Sequence, residues 1–373
     1  MQGLLRHIRE NDRAIPPKHP NRFGTGLRCY PNLIGNKAHS ALMGYGDVWV
    51  LGAGASAEAG APTVPQFKRI AEELRLKLES DEREAFDSVL GFWDTHARSL
   101  NIEQFFGYVD SPALVRATHV VSPHQDHIDD VRRKTLYLIA KVIAVSLGRQ
   151  VSDLHEKFAE NFIKRGGDTI TFNWDITLDR AMVSKEARVD YSFPKPSDWG
   201  KTNWYPHTLL KLHGSLNWKF CRECNCVDPL DEKETATDWF LGKSALVCGA
   251  CGRSDNTEVL MIPPVLTKLA DKSSVMTAIW KRAFEVLRGA KQVFIIGYSF
   301  PETDLQSRVL ISRGLTESKD LEQIFVVTKP KFGSERQRFE DRYIEALAHS
   351  GKRDKVRFEY DTFREFVLRG GPR

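Results

Sequence analysis

The chain has 373 residues, of which 41% are apolar and 28% charged, and its formal net charge is +5. This length predicts two to three domain-sized units, and the apolar content is sufficient for a real core. The chain lacks 18 consecutive apolar residues and an apolar stretch in residues 1–10, so we expect a cytoplasmic protein without a membrane span or signal peptide. Basic residues are scattered rather than gathered in a compact stripe, so direct nucleic-acid binding is not expected.

The first half of the chain is predicted to contain a strand and then a group of helices. Residues 1–45, rich in proline and glycine, are interpreted as an N-terminal extension. An apolar strand over 48–51 opens the core. Helical patterns follow over 64–90, from Asn101 as N-cap with Gln104 at the capping-box position, over 129–147, and from Ser152. We therefore expect a helical module over 66–166, inserted after the first glycine turn.

The second half returns to short strands separated by helical stretches. Strand patterns lie over residues 169–172, 209–212, 259–262, 292–296 and 324–327, and a clear helix over 274–287. Such alternation predicts an α/β fold with a mostly parallel, doubly wound sheet, in which ligands bind at the carboxyl ends of strands. The C-terminal segment, 331–373, is expected to add an edge strand and a short helix over 358–368.

A small-residue turn follows the first strand directly, at Gly52, Ala53, Gly54 and Ser56. A turn of this kind lets a ligand phosphate approach the backbone, because a Cβ at Gly52 or Gly54 would crowd that approach. Amides at the start of the following helix can also point at an anion.

A second strand-to-glycine turn occurs at Gly297 and Ser299. It can serve another phosphate or the adenosine ribose, and Thr328, at the end of the strand over 324–327, can reach a ribose in the same way. The alternative is an ordinary loop between a strand and a helix.

Two polar motifs at strand ends carry candidate catalytic groups. Asn173 can orient a water or hold a ribose hydroxyl, and Asp175 can accept a hydrogen bond from a ligand amide; capping of a helix over 176–183 is the alternative. His213 lies within Lys-Leu-His-Gly-Ser-Leu-Asn-Trp (residues 211–218) and precedes a glycine. This position suits a general base, although a lone histidine is often structural.

Five of the six cysteines lie between Cys221 and Cys251. In a reducing compartment, two Cys-x-x-Cys pairs favour a metal over disulfides. Cys221, Cys224, Cys248 and Cys251 offer four thiolates to a structural Zn²⁺ within a zinc module over 219–254. Cys226 could replace Cys221 or Cys224 as a ligand, and unligated thiols are the alternative.

In this order, the motifs resemble the sirtuin family over residues 46–330. The resemblance is to a bacterial branch in which Lys-Leu-His-Gly-Ser-Leu-Asn-Trp is a typical form of the histidine element. It implies a Rossmann-type NAD domain with a helical lobe and a zinc-ribbon lobe, and NAD⁺ held between the lobes. Asn173 and His213 match the family's Asn and His, and Asp175 matches the residue that contacts nicotinamide. Members of this branch often hydrolyse NAD⁺ in bacterial defence against phage, and they are held as homo-oligomers or beside a partner ATPase of the HerA type.

The sequence departs from the pattern of sirtuin deacylases at three places. Residues 63–67 replace Asp-Phe-Arg, Phe172 replaces the Gln before Asn173, and residues 264–269 replace the segment that helps bind the acyl-peptide. We therefore expect an NAD⁺ hydrolase that releases nicotinamide and ADP-ribose. The alternatives are an NAD-dependent protein-lysine deacylase and a non-catalytic NAD or ADP-ribose sensor that controls a partner.

Overall fold

The computed structural model describes most of the chain after the predicted extension. The described residues are 46–111, 125–148, 150–187, 189–193, 207–231, 235–263, 274–301, 304–329, 333–348 and 350–373. The predicted extension over 1–45 and the segment over 264–269 lie outside them. In the described part of the chain, no helix is both long enough and apolar enough to cross a membrane.

The main sheet consists of parallel strands, as the alternation of elements predicts. The strands are β1 (Asp47–Leu51), β2 (Asp168–Thr171), β3 (Val189–Asp190), β4 (His207–Lys211), β8 (Gln292–Ile296), β9 (Gln323–Val327) and β10 (Val356–Glu359). Their order across the sheet is β10-β9-β8-β1-β2-β4-β3. The central strands are nearly continuous apolar runs because both faces of the sheet are covered. The predicted α/β class with a mostly parallel sheet is confirmed.

Some helices cover the two faces of this sheet, and others form a separate module. The helices are α1 (Ala53–Ala57), α2 (Phe67–Arg75), α3 (Ser80–His96), α4 (Ile102–Val109), α5 (Gln125–Leu147), α6 (Asp153–Asn161), α7 (Thr177–Ser184), α8 (Ala236–Phe240), α9 (Ser274–Arg288), α10 (Leu305–Glu317), α11 (Ser334–Ala348) and α12 (Phe363–Arg369). The helix expected over 64–90 is in fact a 3₁₀ turn followed by α2 and α3. The capping box at Asn101 and the N-cap at Ser152 are present as predicted.

The helical residues between β1 and β2 divide between two hydrophobic cores. Helices α2 to α5 pack in a second core together with residues of the cysteine-bearing lobe, including Phe240 and Met261. Helix α6 instead packs on the main sheet through Leu154 and Phe158, in the first core. The helical module as a packed unit therefore ends near the end of α5.

The cysteine-bearing lobe contains a small antiparallel sheet of β5 (Gly214–Cys221), β6 (Cys226–Pro229) and β7 (Thr257–Met261), in the order β6-β5-β7. The strand expected over 259–262 is thus present as β7, but its expected place in the parallel sheet is wrong. It pairs antiparallel with β5, with Gly214 opposite Met261. An apolar run alone does not determine which sheet a strand joins.

The chain direction across the main sheet reverses between β1 and β8. The chain continues from β1 to β2 on one side, whereas β8 is followed by β9 on the other. Ligands of doubly wound sheets bind in the crevice at such a switch point, outside the carboxyl ends of the strands. Both predicted glycine turns follow these two strands.

Candidate functional site

A cavity of about 380 Å³ opens at this switch point. Its volume lies in the range of small-molecule sites. Its walls include candidate residues from separate motifs, namely Ala53, Ser56, Asn173, Asp175, His213, Gly297 and Ser299. The fold therefore brings together residues that are up to 246 positions apart in the sequence.

The two glycine turns lie against each other, backbone to backbone. The amide of Gly52 donates to the carbonyl of Ile296 at 3.0 Å, and that of Gly54 donates to the carbonyl of Gly297 at 2.8 Å. A Cβ at Gly52 would lie 2.5 Å from the Cα of Tyr298, and one at Gly54 would lie 2.8 Å from the Cα of Gly297. The close approach of the two turns thus requires these glycines, and the approach of a ligand phosphate to the same turn stays a prediction.

Asn173 is anchored by both hydrogens of its carboxamide nitrogen. Nδ2 donates to the carbonyl of Gly52 at 3.0 Å and to Oγ of Ser56 at 3.0 Å. Its Oδ1 has no hydrogen-bond partner among the described residues. Because both donors are used, Asn173 can offer a ligand only an acceptor. That acceptor suits a water molecule or a ribose hydroxyl.

Asp175 is a buried residue that lines the cavity. Its Oδ1 accepts the backbone amide of Thr177 at 2.9 Å, which caps the start of α7. The capping interaction considered from the sequence is therefore present. It occupies one carboxylate oxygen and leaves the other for a donor such as a ligand amide.

His213 is paired with a carboxylate that the sequence analysis missed. Its Nε2 lies 3.2 Å from Oδ2 of Asp304, and the side chains are 4% and 0% exposed. Tyr298 donates its hydroxyl to the same Oδ2 at 3.1 Å, and the amide of Ser307 approaches Oδ1 at 3.3 Å. Asp304 is the N-cap of α10. An aspartate just before a helix was a detectable capping signal, but nothing local in the sequence indicated its contact with His213.

Burial and the neighbouring Asp304 carboxylate raise the pKa of Tyr298 well above its usual value, so Tyr298 keeps its proton and acts as a donor. Its ring stacks on Phe172, with centroids 4.2 Å apart. The Phe172 ring is in turn 5.4 Å from the His213 imidazole. The residue that replaces the family's Gln is therefore part of an aromatic wall beside the histidine.

The segment after the first glycine turn forms another wall of the cavity. Oε1 of Gln66 accepts from the amide of Thr63 at 3.2 Å and from its hydroxyl at 2.7 Å around a short 3₁₀ turn. Val64, Pro65 and Phe67 of this segment line the cavity. The start of α4, including Asn101, also faces it. This wall is largely apolar.

Two predicted ligand contacts fall at the margin of the cavity or outside it. Ser299 lines the cavity but is exposed. Thr328 is not part of the lining, and its amide donates to the carbonyl of Glu359 on the neighbouring edge strand, at 3.0 Å. The end of β9 is one strand farther from the switch point than the end of β8, which explains the difference.

The four cysteines of the two Cys-x-x-Cys pairs converge in the small lobe. All four sulfur atoms lie within 4.8 Å of one another. Sγ of Cys221 is 3.6 Å from Sγ of Cys251, and Sγ of Cys224 is 3.5 Å from Sγ of Cys248. A tetrahedral Zn²⁺ with Zn–S bonds of about 2.3 Å places its sulfurs about 3.8 Å apart, whereas a disulfide needs about 2.05 Å. The geometry therefore fits a metal site.

Cys226, the alternative ligand, lies outside this group, with its Sγ 3.6 Å from the carbonyl oxygen of Cys224.

Comparisons with known proteins add the following. No protein-family model and no curated protein matches the chain. It is similar to the solved structure of a Sir2 homolog–NAD complex, at 14% identity over 92% of this chain and 96% of that chain, with a TM-score of 0.44. A structure concerning the mechanism and regulation of Sir2 enzymes is similar at 13% identity, over 88% and 92%, with a TM-score of 0.41. Sir2Tm bound to a propionylated peptide is similar at 14% identity, over 87% and 90%, with a TM-score of 0.37.

Proposed function

We propose that this chain is a sirtuin-like NAD⁺ hydrolase that cleaves the bond between nicotinamide and ribose. The observation that carries the proposal is the convergence of Asn173, Asp175 and His213 in one cavity at the switch point of the sheet. The sequence resemblance implies that NAD⁺ is the ligand, and the hydrogen bonds of these side chains indicate the role of each residue.

The reaction needs only NAD⁺ and water. The bond between C1′ of the ribose and the cationic nicotinamide nitrogen breaks, and its electron pair neutralises that nitrogen. Water attacks C1′ through an oxocarbenium-like transition state, as in other glycosidic cleavages. The water loses one proton, so the products are nicotinamide, ADP-ribose and H⁺.

Each of the three residues has a role that matches its hydrogen bonds. Asp175 accepts from the nicotinamide carboxamide with the oxygen that does not cap α7. Asn173 accepts from the attacking water or from a ribose hydroxyl through Oδ1 and so positions it near C1′. His213 takes the proton, and Asp304 orients the imidazole and compensates the charge that develops on it.

Hydrolysis is favoured over deacylation because the described residues suffice for it. A deacylase also needs a surface that pairs with an acylated peptide. Within residues 62–67, those that line the cavity are all apolar, and Phe172 adds an aromatic ring beside His213. These are two of the three places where the sequence departs from the deacylase pattern.

The cysteine cluster supports a structural role for a metal. Cys221, Cys224, Cys248 and Cys251 would hold Zn²⁺ with all four positions filled by protein ligands. The metal would join the β5–β6 hairpin to the segment around Cys248, and it would supply no chemistry in the cavity.

The biological role that follows from the resemblance is depletion of NAD⁺ in bacterial defence against phage. We extend the proposal to control of the hydrolase by self-association or by a partner ATPase. An experiment on the isolated chain should therefore be accompanied by one on the complex obtained with such a partner.

The test is to incubate the protein with NAD⁺, with and without an acetylated lysine peptide, and to identify the products chromatographically. We expect nicotinamide and ADP-ribose in equal amounts without peptide. Release that requires the peptide would establish the deacylase instead. Binding of NAD⁺ without any product, in both the isolated and the partner-bound protein, would establish a sensor. His96→Ala, at an exposed histidine near the end of α3, is the matched control for His213→Ala.

A further inference from the structure

A buried lysine lies directly beneath the turn that carries Asn173 and Asp175. Lys211, the last residue of β4, is 0% exposed. Its Nζ donates to the backbone carbonyl of Asp175 at 2.6 Å and to Oδ2 of Asp179 at 3.0 Å. Neither interaction is part of the chemistry assigned above to the cavity.

Asp179 is itself held in place by a buried tyrosine. Tyr191 donates its hydroxyl to Oδ1 of Asp179 at 2.5 Å, and Nδ2 of Asn217 donates to that hydroxyl at 3.2 Å. Burial and the Asp179 carboxylate raise the pKa of Tyr191 far above its usual value, so it remains a donor. Oγ of Ser215 in turn donates to Oδ1 of Asn217 at 2.6 Å.

Residues after Lys211 on the same segment of chain also form hydrogen bonds with the turn that carries Asn173 and Asp175. The carbonyl of Trp174 accepts the amide of Leu216 at 2.9 Å, and Oγ of Ser215 lies 3.4 Å from it. The indole Nε1 of Trp174 donates to the carbonyl of His213 at 3.0 Å. Residues 211–217 therefore contact two consecutive carbonyls of the turn and also carry the histidine.

A buried ion pair is poor evidence for a contribution to stability, because desolvation of both charges offsets their attraction. Such a pair can instead serve to hold the groups that it joins in one fixed relative position. The lysine ammonium has three donors, and two of them join the Asp175 carbonyl to the Asp179 carboxylate. This arrangement sets the position of the turn relative to β4 and hence to His213.

We propose that Lys211, held by Asp179 and Tyr191, is a positioning residue that fixes the Asn173–Asp175 turn relative to His213. This proposal rests on the proposed function for its effect on turnover. The structural part of the proposal does not depend on NAD⁺, and it can be measured on the protein without a ligand.

The test replaces the network with apolar side chains of similar size, in the triple variant Lys211→Met/Asp179→Leu/Tyr191→Phe. The triple variant avoids a buried charge without a partner. The matched control is Lys219→Met. Lys219 is also a buried lysine, with Nζ 2.9 Å from Asp231, but it lies in β5 rather than at the end of β4. Tyr191→Phe alone is a milder variant that keeps the ion pair.

The readouts are hydrogen–deuterium exchange of the peptide covering 172–178, melting temperature, and nicotinamide release. In the triple variant we expect the backbone amides of that peptide to exchange at least 10-fold faster, and kcat to fall at least 10-fold, with a melting temperature near that of the wild type. Tyr191→Phe should give a smaller change in the same direction. Lys219→Met should leave exchange of this peptide unchanged.

Wild-type exchange over 172–178 in the triple variant and in Tyr191→Phe would overturn the proposal. Equal acceleration in Lys219→Met would overturn it as well, because the effect would then be general loosening. If the triple variant does not fold, the exchange of Tyr191→Phe decides the matter. A wild type that releases no nicotinamide would contradict the proposed function, while the exchange experiment would still test Lys211.

Discussion

Replacement of Gly52 by alanine tests whether the two glycine turns must touch. Gly52 has φ −109°, which alanine adopts without strain, so the substitution acts only through its added methyl group. That Cβ would lie 2.5 Å from the Cα of Tyr298 and 2.6 Å from the carbonyl oxygen of Gly297. Ordinary contacts are about 3.5–4.0 Å, so one backbone must move by about 1 Å.

The expected cost is about 3 kcal/mol, the upper end of the range for overpacking, because both clashing groups belong to the backbone. The shift also separates β1 from β8, since the Gly52 amide bonds to Ile296 at their ends. We therefore expect both a lower free energy of unfolding and weaker NAD⁺ binding.

Urea unfolding and calorimetric titration with NAD⁺ measure the two effects. The matched control is Gly91→Ala in α3, where an added Cβ has no neighbour within 4 Å, and where alanine should stabilise the helix by roughly 0.5–1 kcal/mol. If Gly52→Ala is as stable as the wild type and binds NAD⁺ equally well, the close approach of the turns does not constrain this site.

Three further predictions concern pH, the buried carboxylate and the metal. Burial lowers the pKa of His155 from 6.5 to about 4, although the negative charge of nearby Asp175 opposes this shift. Between these two pH values the unfolded chain binds a proton that the folded chain does not, so stability falls as the pH drops from about 6.5 to about 4. His155→Gln should remove up to about 3 kcal/mol of this loss, seen as a flatter plot of unfolding free energy against pH, and an unchanged slope would contradict the assignment. Asp304→Asn should lower kcat for nicotinamide release at least 10-fold with unchanged NAD⁺ affinity, because the His213 imidazole loses its anionic partner. A wild-type kcat would show that this contact does not contribute to turnover. Elemental analysis should find about one zinc per chain, lost in Cys224→Ser and kept in Cys226→Ser, and the reverse pattern would refute the ligand set.

Much of the fold could be predicted because the signals are local. Buried strands of a parallel sheet are continuous apolar runs, and the capping box at Asn101 is a pattern of four residues. The prediction that strand ends carry the site follows from the topology of doubly wound sheets. It predicts that Asn173, Asp175 and His213 lie near one another, and all three line the same cavity.

The features that were missed depend on contacts between distant segments. The strand β7 has the apolar pattern of a parallel strand, yet it pairs antiparallel with β5. Ile262, which follows β7 directly, donates its amide to the carbonyl of His213, just before β5. Asp304 resembles a simple helix cap, and only the fold brings it to the imidazole 91 residues earlier. The strand that ends before Thr328 is present as predicted, but Thr328 itself is not among the described residues that line the cavity, so its contact with a ligand stays a prediction.

The central claim is that Asn173 and His213 act on bound NAD⁺. The most direct measurement is the rate of nicotinamide release without peptide, with NAD⁺ affinity measured on the same samples, for the wild type, Asn173→Ala and His213→Ala. We predict that both variants bind NAD⁺ and that release falls by about 10²–10⁴-fold. Release at the wild-type rate in either variant, with binding intact, would contradict this account.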